Sequence, residues 1–301
     1  MNRFARVVSN TALAPGAGSI RSNVFSTVSA RQRIGGGQRR HVILGLDETT
    51  KGRRLIDPIS IGIAGAGRMG LAIAESIAVA DDLRLASVWL RDASAEGRFA
   101  EAHGGLFSSD IDAVVRAADV LIDFSLPQAT ATVVAAVARH ERPLVCGVSG
   151  LSIEQQSLLE RAAGTVAIVY DRNMSLGIAV LDAIVRRAAA ALGPEFAVAI
   201  HETHHIHKLD APSGTALQLG EAVAAARGAD PDAIDYKVER RGEVPGDHAV
   251  VFTSANEQLT LQHSVTTRQV FAEGALRAAR WILDQPPGQY SMRDVLADDC
   301  L

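Results

Sequence analysis

The hydrophobic and polar positions predict alternating strands and helices from about residue 58 onward. Ile59, Ile61 and Ile63 form a short β-branched run, and residues 71–80 then repeat apolar side chains at helical spacing. A second strand candidate follows at 83–90. Further strand candidates lie at 119–125, 143–150 and 166–175, with helix-like segments between them. Alternation at this pace predicts a doubly wound parallel sheet.

Later in the chain the pattern changes to a run of strands. The strand-like segments are FAVAIHE, DYKVERR, HAVVFTS and EQLTLQHSV, of which the last alternates cleanly. After them, FAEGALRAARWILDQ is typical of a helix that returns to the first sheet. An exposed sheet of this kind favours pairing across subunits.

The first 57 residues differ from the rest. Seven arginines and no acidic residue precede Asp47, with Ser, Gly and Ala between them. This composition is typical of an organelle transit peptide, of a disordered tail, or of a start codon assigned too far upstream. We therefore predict a disordered or targeting tail over 1–57, and leave these three alternatives open.

Composition narrows the class of protein. A chain of 301 residues with 48% hydrophobic and 21% charged residues can bury a large core. A formal charge of −4 argues against nucleic acid, and no apolar run is long enough to cross a membrane. Cys146 and Cys300 form neither a disulfide framework nor a thiolate metal site. We expect a cytoplasmic protein, or an organelle protein if the tail is a transit peptide.

A glycine turn joins the first strand to the first helix. It reads Gly65, Ala66, Gly67, Arg68, Met69, Gly70, and its β-α-β context is the one that a dinucleotide fingerprint requires. Gly65 would make the turn, Gly67 would admit a pyrophosphate, and Gly70 would allow close packing. At the end of the second strand, Arg91 and Asp92 leave NADPH or NADH open and favour NADPH.

The stretch HETHHIHKLDAPSGTA, residues 201–216, is the second candidate for chemistry. Its start matches the zinc-protease pattern H-E-x-x-H, but its flanks favour a strand before it and a helix break after it. The alternative is an anion pocket, because Ser213-Gly214-Thr215 begins a helical run and Lys208 adds positive charge. A polar loop without chemistry is the third interpretation. We predict no metal.

The same stretch resembles the signature of the 4-hydroxy-tetrahydrodipicolinate reductase family. The resemblance runs from about Ile59 onward and includes A-G-x-G-R-M-G, D-F-S-x-P, C-G-V-S-G, N-M-S-x-G and R-R-G-x-V-P-G-D-H. It implies an NAD(P)H-dependent homotetrameric reductase of the diaminopimelate route to lysine, acting on a small cyclic dicarboxylate. A sensor that binds a dinucleotide without turnover, and a reductase of another cyclic imine or keto acid, are the alternatives.

The resemblance also implies roles for residues. His204 and Lys208 correspond to the acid/base histidine and the proton donor. The expected substrate-binding residues are His205, Ser213, Gly214 and Thr215. The expected cofactor-binding residues are Gly65 to Gly70, Arg91, Gly147, Val148, Ser149, Asp171, Arg172, Asn173 and Met174. Leu90 stands where many relatives carry Glu, Met174 where Phe is common, and the glycine turn has one glycine fewer.

The predicted fold class is therefore α/β. It comprises a Rossmann-type doubly wound parallel sheet domain and a smaller α+β domain for substrate binding and oligomerisation. The dinucleotide-binding domain is expected at 58–173, completed by 270–301, and the second domain at 174–269, with hinges near 173–177 and Arg268.

Overall fold

A computed structural model describes residues 57–90 and 106–297. Its first sheet contains strands that follow the predicted apolar runs. They are β1 (Ile59–Ala64), β2 (Leu83–Trp89), β3 (Phe107–Ser108), β4 (Val120–Asp123), β5 (Leu144–Cys146), β6 (Ala167–Tyr170) and, after the second sheet in sequence, β11 (Gly288–Tyr290).

Every pairing in this sheet is parallel, and the strand order is β11-β6-β5-β4-β1-β2-β3. The order reverses beside β1, so the sheet is doubly wound, as predicted. Its helices are α1 (Arg68–Ala78), α2 (Ile111–Ala117), α3 (Thr130–Arg139), α4 (Ile153–Ala162) and the C-terminal α7 (Gln269–Trp281) and α8 (Met292–Ala297).

The first sheet is covered by apolar side chains on both faces. Ile61, Ile63 and Val145 pack with α1, α7 and α8 on one face, whereas Leu121 and Leu144 pack with α2, α3 and α4 on the other. All five are fully buried, and burial of such a side chain contributes roughly 1.5–3 kcal/mol. The helix predicted to return to this sheet is α7, which packs against α1.

The second sheet has the order β10-β9-β7-β8. Its strands are β7 (Ala197–His204), β8 (Asp235–Arg240), β9 (Asp247–Thr253) and β10 (Gln258–Ser264). β8 runs parallel to β7, while β9 is antiparallel to both β7 and β10. One face packs on α5 (Leu176–Leu192) and α6 (Gly214–Arg227) through a core that includes Ile200, Val250 and Phe252.

The predicted fold class is confirmed by these two sheets. They lie in one compact unit, so the domain boundaries and hinges given above stay predictions. The predicted tail falls outside the described residues except for Asp57. No helix in the described ranges combines the length and the apolar character needed to cross a bilayer.

Candidate functional site

Four strands of the first sheet end at one edge. β1 ends at Ala64, β4 at Asp123, β5 at Cys146 and β6 at Tyr170, and all of them are parallel. The turns that follow them therefore lie side by side, at the edge where doubly wound sheets bind ligands. These turns carry every predicted cofactor-binding residue except Arg91, which lies outside the described residues, as does Asp92.

The glycine turn has the conformation that its sequence predicts. Gly65 has a φ of +100°, and a Cβ there would lie 3.0 Å from the carbonyl oxygen of Phe124. A Cβ on Gly70 would lie 2.0 Å from the carbonyl oxygen of Gly65, so only glycine allows this approach. Gly67 is the N-cap of α1, has no side-chain cap and leaves open space where a Cβ would be. Free N–H groups at an open helix N-terminus fit a pyrophosphate.

The other two turns contain both accessible and buried candidates. A Cβ on Gly147 would lie 2.4 Å from the ring of Phe124, so this glycine lets the two turns meet, and Ser149 is exposed. Val148 and Met174 are buried in the apolar core, at 2% and 1% exposure. The side chains of Val148 and Met174 therefore do not reach the edge of the sheet.

Asp171 and Asn173 tie the 171–174 turn to its surroundings. The Asp171 carboxylate accepts hydrogen bonds from the N–H groups of Met292 and Asn173, and burial raises its pKa. The Asn173 side-chain amide donates to the Thr215 hydroxyl at 3.0 Å. Arg172 pairs with Glu221 at 2.9 Å. The predicted cofactor turn thus contacts the predicted substrate-binding helix.

The histidine stretch begins as a strand, because β7 runs to His204. Alternation along β7 places Ile200, Glu202 and His204 on the buried face, and His201 and Thr203 on the other. The helix that H-E-x-x-H needs for zinc hydrolysis is absent here, because His201 lies within β7. The sequence-based preference against the zinc-protease interpretation therefore agrees with the observed strand.

The predicted anion pocket is built at the N-terminus of α6. Ser213 is the N-cap, and its hydroxyl accepts a hydrogen bond from the N–H of Ala216. Its own N–H donates to both carboxylate oxygens of Glu202 at 3.1 Å. The Ser213 side chain is 2% exposed and serves the helix, whereas Gly214 is half-buried and its N–H lies in the first turn. An α-helix N-terminus of this kind favours a carboxylate.

Positive groups surround the segment between β7 and α6. Lys208 pairs with Asp210 at 2.8 Å. Burial lowers the pKa of His205, and the charges of Arg268 and Arg68 lower it further. Arg68 begins α1 and Arg268 is the N-cap of α7, so the first sheet and the histidine segment both supply cations here. An anion placed beside His205 would meet a positive potential.

His204 is held by residues that sequence reasoning did not single out. Its Nδ1 lies 3.3 Å from Glu202 Oε2, and its ring stands edge-on to His248 with 5.0 Å between ring centres. Burial lowers the pKa of His248 to about 3, and the charge of His204 also lowers it. A Cβ on Gly246 would lie 3.0 Å from His204 Nε2, which explains glycine at that position. Alternation in β7 was the available signal, since it places Glu202 beside His204.

Together the doubly wound sheet and the open glycine turn define a dinucleotide-binding α/β protein, whose 171–174 turn contacts the first turn of α6. Residues 59–174 match the family description "Dihydrodipicolinate reductase, N-terminus", and residues 177–296 match "Dihydrodipicolinate reductase, C-terminus". The chain belongs to the dihydrodipicolinate reductase family. It is accordingly an oxidoreductase that uses a nicotinamide dinucleotide.

Curated relatives agree with this assignment. The chain is 42% identical over 263 residues to the 4-hydroxy-tetrahydrodipicolinate reductase of Halorhodospira halophila, covering 79% of this chain and 98% of the relative. It is 39% identical over 256 residues to the enzyme of the same name from Zymomonas mobilis, covering 79% and 97%.

Solved structures show a similar fold. A dipicolinate-bound dihydrodipicolinate reductase from Paenisporosarcina has a TM-score of 0.64 at 21% identity, with 79% of this chain and 100% of that chain covered. A myo-inositol dehydrogenase from Corynebacterium glutamicum has a TM-score of 0.53 at 16% identity, with 75% and 89% covered.

Proposed function

We propose that this protein reduces 4-hydroxy-tetrahydrodipicolinate to tetrahydrodipicolinate in the diaminopimelate route to lysine. The observation that carries the proposal is the hydrogen bond from Asn173, in a predicted cofactor turn, to Thr215, in the first turn of α6. Glu202 connects the start of that helix to His204, since it accepts from the Ser213 N–H and lies 3.3 Å from the His204 ring. The match to this chain covers 98% and 97% of the length of two curated relatives that are named for this activity.

The substrate is a small cyclic dicarboxylate, and its carboxylates need positive partners. The first-turn N–H groups of Gly214 and Thr215 offer one such place, and His205 with Arg268 offers cationic surroundings. A related structure carries bound dipicolinate, which is a planar dicarboxylate of the same kind. We assign His205, Gly214 and Thr215 to substrate binding, with Ser213 acting through its capping bond.

The conversion replaces the ring's 4-hydroxyl group by hydrogen, so the hydroxyl leaves as water and each hydride that a bound nicotinamide supplies needs one proton. His204 and Lys208 can hold that proton, since both lie in the segment that leads into α6. Lys208 forms an ion pair with Asp210, and the Nδ1 of His204 lies 3.3 Å from Glu202 Oε2. We assign His204 as the acid/base group and Lys208 as the proton donor.

The cofactor contacts follow from the edge of the first sheet. We assign the pyrophosphate to the glycine turn, Gly65 to Gly70, and the rest of the dinucleotide to the turns at 147–149 and 171–174. Among the described residues, Arg68 supplies a positive charge at this turn. With Leu90 in place of an acid and Arg91 following it, NADPH is the preferred cofactor. A cytoplasmic homotetramer completes the proposal.

Substitution of the two proposed proton-handling groups tests these roles. His204→Gln and Lys208→Ala should each lower kcat by about two orders of magnitude, the usual scale for general acid catalysis. Binding of dipicolinate should persist in His204→Gln, which a calorimetric titration can measure. Arg241→Gln is the matched control, because its exposed side chain lies one residue beyond β8. Normal turnover by both variants would show that the roles are misassigned.

A further inference from the structure

Glu202 is a buried carboxylate with an unusual number of partners. Both its oxygens accept from the Ser213 N–H at 3.1 Å, and its Oε1 lies 3.4 Å from both terminal guanidinium nitrogens of Arg240. Its Oε2 lies 3.3 Å from His204 Nδ1 and 3.9 Å from His248 Nε2. One side chain thus contacts β8, β9, the end of β7 and the start of α6.

Arg240 carries this arrangement to the segment that contains Lys208. Its Nε donates to the carbonyl oxygen of Lys208 at 3.2 Å, and its Nη2 donates to the carbonyl oxygen of Asp210. The guanidinium that pairs with Glu202 therefore also fixes the backbone on both sides of Leu209. The Glu202–Arg240 ion pair therefore connects the end of β7 to the segment that contains Lys208.

The partners of Glu202 argue against a metal site at this cluster. Glu202, His204 and His248 are residue types that bind metals, and their ligand atoms lie within 4.8 Å of one another. However, the carboxylate already accepts the Ser213 N–H and faces the positive charge of Arg240. A divalent cation there would have to displace the Ser213 N–H from the carboxylate, and the guanidinium of Arg240 would repel it.

The burial and the lowered pKa of Glu202 are those expected of a carboxylate that stays ionised and has a structural role. Desolvation acts to raise the pKa of Glu202, but the contacts with His204 and Ser213 outweigh it and lower the pKa to about 2. The carboxylate is therefore ionised at every pH at which the protein would work. A buried charge of this kind persists only where it is paired and hydrogen-bonded.

We propose that the buried Glu202–Arg240 ion pair is a positioning element, which orients the His204 ring and holds Lys208 and the α6 N-terminus in one site. The proposal rests on the proposed function for the roles of His204 and Lys208. Glu202 itself contacts neither substrate nor cofactor in this proposal. It acts through His204, whose Nδ1 lies 3.3 Å from Glu202 Oε2, and through Arg240.

The test compares Glu202→Gln with Glu239→Gln. Gln keeps the shape of Glu202 and an acceptor for Ser213, but it removes the charge. Glu239 lies on β8, and its exposed side chain accepts from Thr203, so Glu239→Gln removes the same charge outside the site. We expect kcat to fall at least about tenfold in Glu202→Gln with the KM for the cofactor unchanged, and to stay unchanged in Glu239→Gln.

A conservative variant separates positioning from a loss of fold. Glu202→Asp keeps the negative charge beside His204 and Arg240, so it should recover part of the kcat that Glu202→Gln loses, while the KM for the cofactor stays unchanged in both variants. Wild-type kcat in folded Glu202→Gln would overturn the proposal.

The orientation of the His204 ring can be measured without turnover. Its edge-on contact with His248, at 5.0 Å between ring centres, should give nuclear Overhauser effects between the two rings in the wild type, and these should weaken or vanish in Glu202→Gln. An unchanged ring contact would overturn the positioning role even in an active enzyme. A wild-type protein that binds cofactor but does not turn over would refute the proposed function, and the ring contact would still test the role of the ion pair. If Glu202→Gln does not fold, the same measurement in Glu202→Asp takes its place.

Discussion

Both sheets of this protein bury a carboxylate near the end of a strand, and two of these carboxylates, Asp123 and Glu202, have opposite properties. In the first sheet, Asp123 ends β4 and accepts a bond from the Ser125 N–H at 2.8 Å. Its Oδ2 has no hydrogen-bond partner among the described residues. Burial raises the pKa of Asp123 to about 6. In the second sheet, Glu202 has a pKa of about 2.

The difference comes from the partners and not from burial. Both side chains are nearly inaccessible, at 1% exposure for Asp123 and 2% for Glu202. Only Glu202 has a guanidinium and an imidazole within 3.4 Å. Desolvation therefore dominates at Asp123 and is outweighed at Glu202. The second sheet therefore keeps a fixed negative charge beside His204, the proposed acid/base residue.

Among substitutions that affect these two carboxylates, Arg240→Met should have the largest effect on stability. The substitution leaves Glu202 buried without its guanidinium, so the free energy of unfolding should fall by roughly 3 kcal/mol. Arg241→Met is the control, because Arg241 is exposed and pairs with Glu239 at the surface, where such a pair contributes little. Urea denaturation of both variants measures the difference. Equal effects would mean that Glu202 does not depend on Arg240.

A smaller effect should appear in the acid stability of Glu202→Gln. The folded-state pKa of Glu202, about 2, lies below the ordinary glutamate value of 4.5. Its stabilising contribution is therefore complete above pH 4.5 and is lost as the pH falls toward 2. The stability difference between the wild type and Glu202→Gln should shrink over that interval. A difference that is constant from pH 5 to pH 2.5 would contradict the lowered pKa.

The smallest effect should be that of Asp123→Asn, with the opposite slope. The folded-state pKa of Asp123, about 6, lies above the ordinary aspartate value of 3.8, so between these pH values the folded protein binds a proton that the unfolded chain does not. The wild type should gain stability relative to Asp123→Asn as the pH falls from 7 to 4. At pH 7 the two proteins should differ by no more than about 1 kcal/mol. A wild type that loses stability relative to Asp123→Asn on acidification would show that the two carboxylates behave alike.

Much of the fold could be predicted because the spacing of apolar residues and the residues of the turns indicate the same elements within short stretches of the chain. Ile59 to Ile63, the glycine turn and the apolar helix after it predict β1, α1 and their connection, and the structure has them there. The short strands at 120–123 and 144–146 are fully buried, so their apolar runs are also clear in the sequence. The Ser-Gly-Thr start of α6 follows from capping preference in the same way.

The candidate site was less predictable, because its partners are distant in sequence. Glu202 contacts Ser213 and Arg240, which lie 11 and 38 residues away, and its cross-strand neighbour is His248. Such contacts depend on the strand order β9-β7-β8, which local pattern does not determine. Val148 and Met174 were predicted to contact the cofactor, but their side chains point into the apolar layers that cover the first sheet. The sequence does not show this direction for a related reason, since it depends on distant packing partners. A residue's position in a turn after a strand shows that it lies at that edge of the sheet, but it does not show where its side chain points.

The most direct test of the central claim is the loss of reduced-nicotinamide absorbance when the purified protein meets freshly prepared 4-hydroxy-tetrahydrodipicolinate, with NADPH and NADH in parallel. We expect rapid oxidation of the reduced nicotinamide that depends on the substrate, and we expect it to be faster with NADPH than with NADH. Binding of both cofactors without oxidation of either would contradict the proposed function, while the dinucleotide-binding fold would stand.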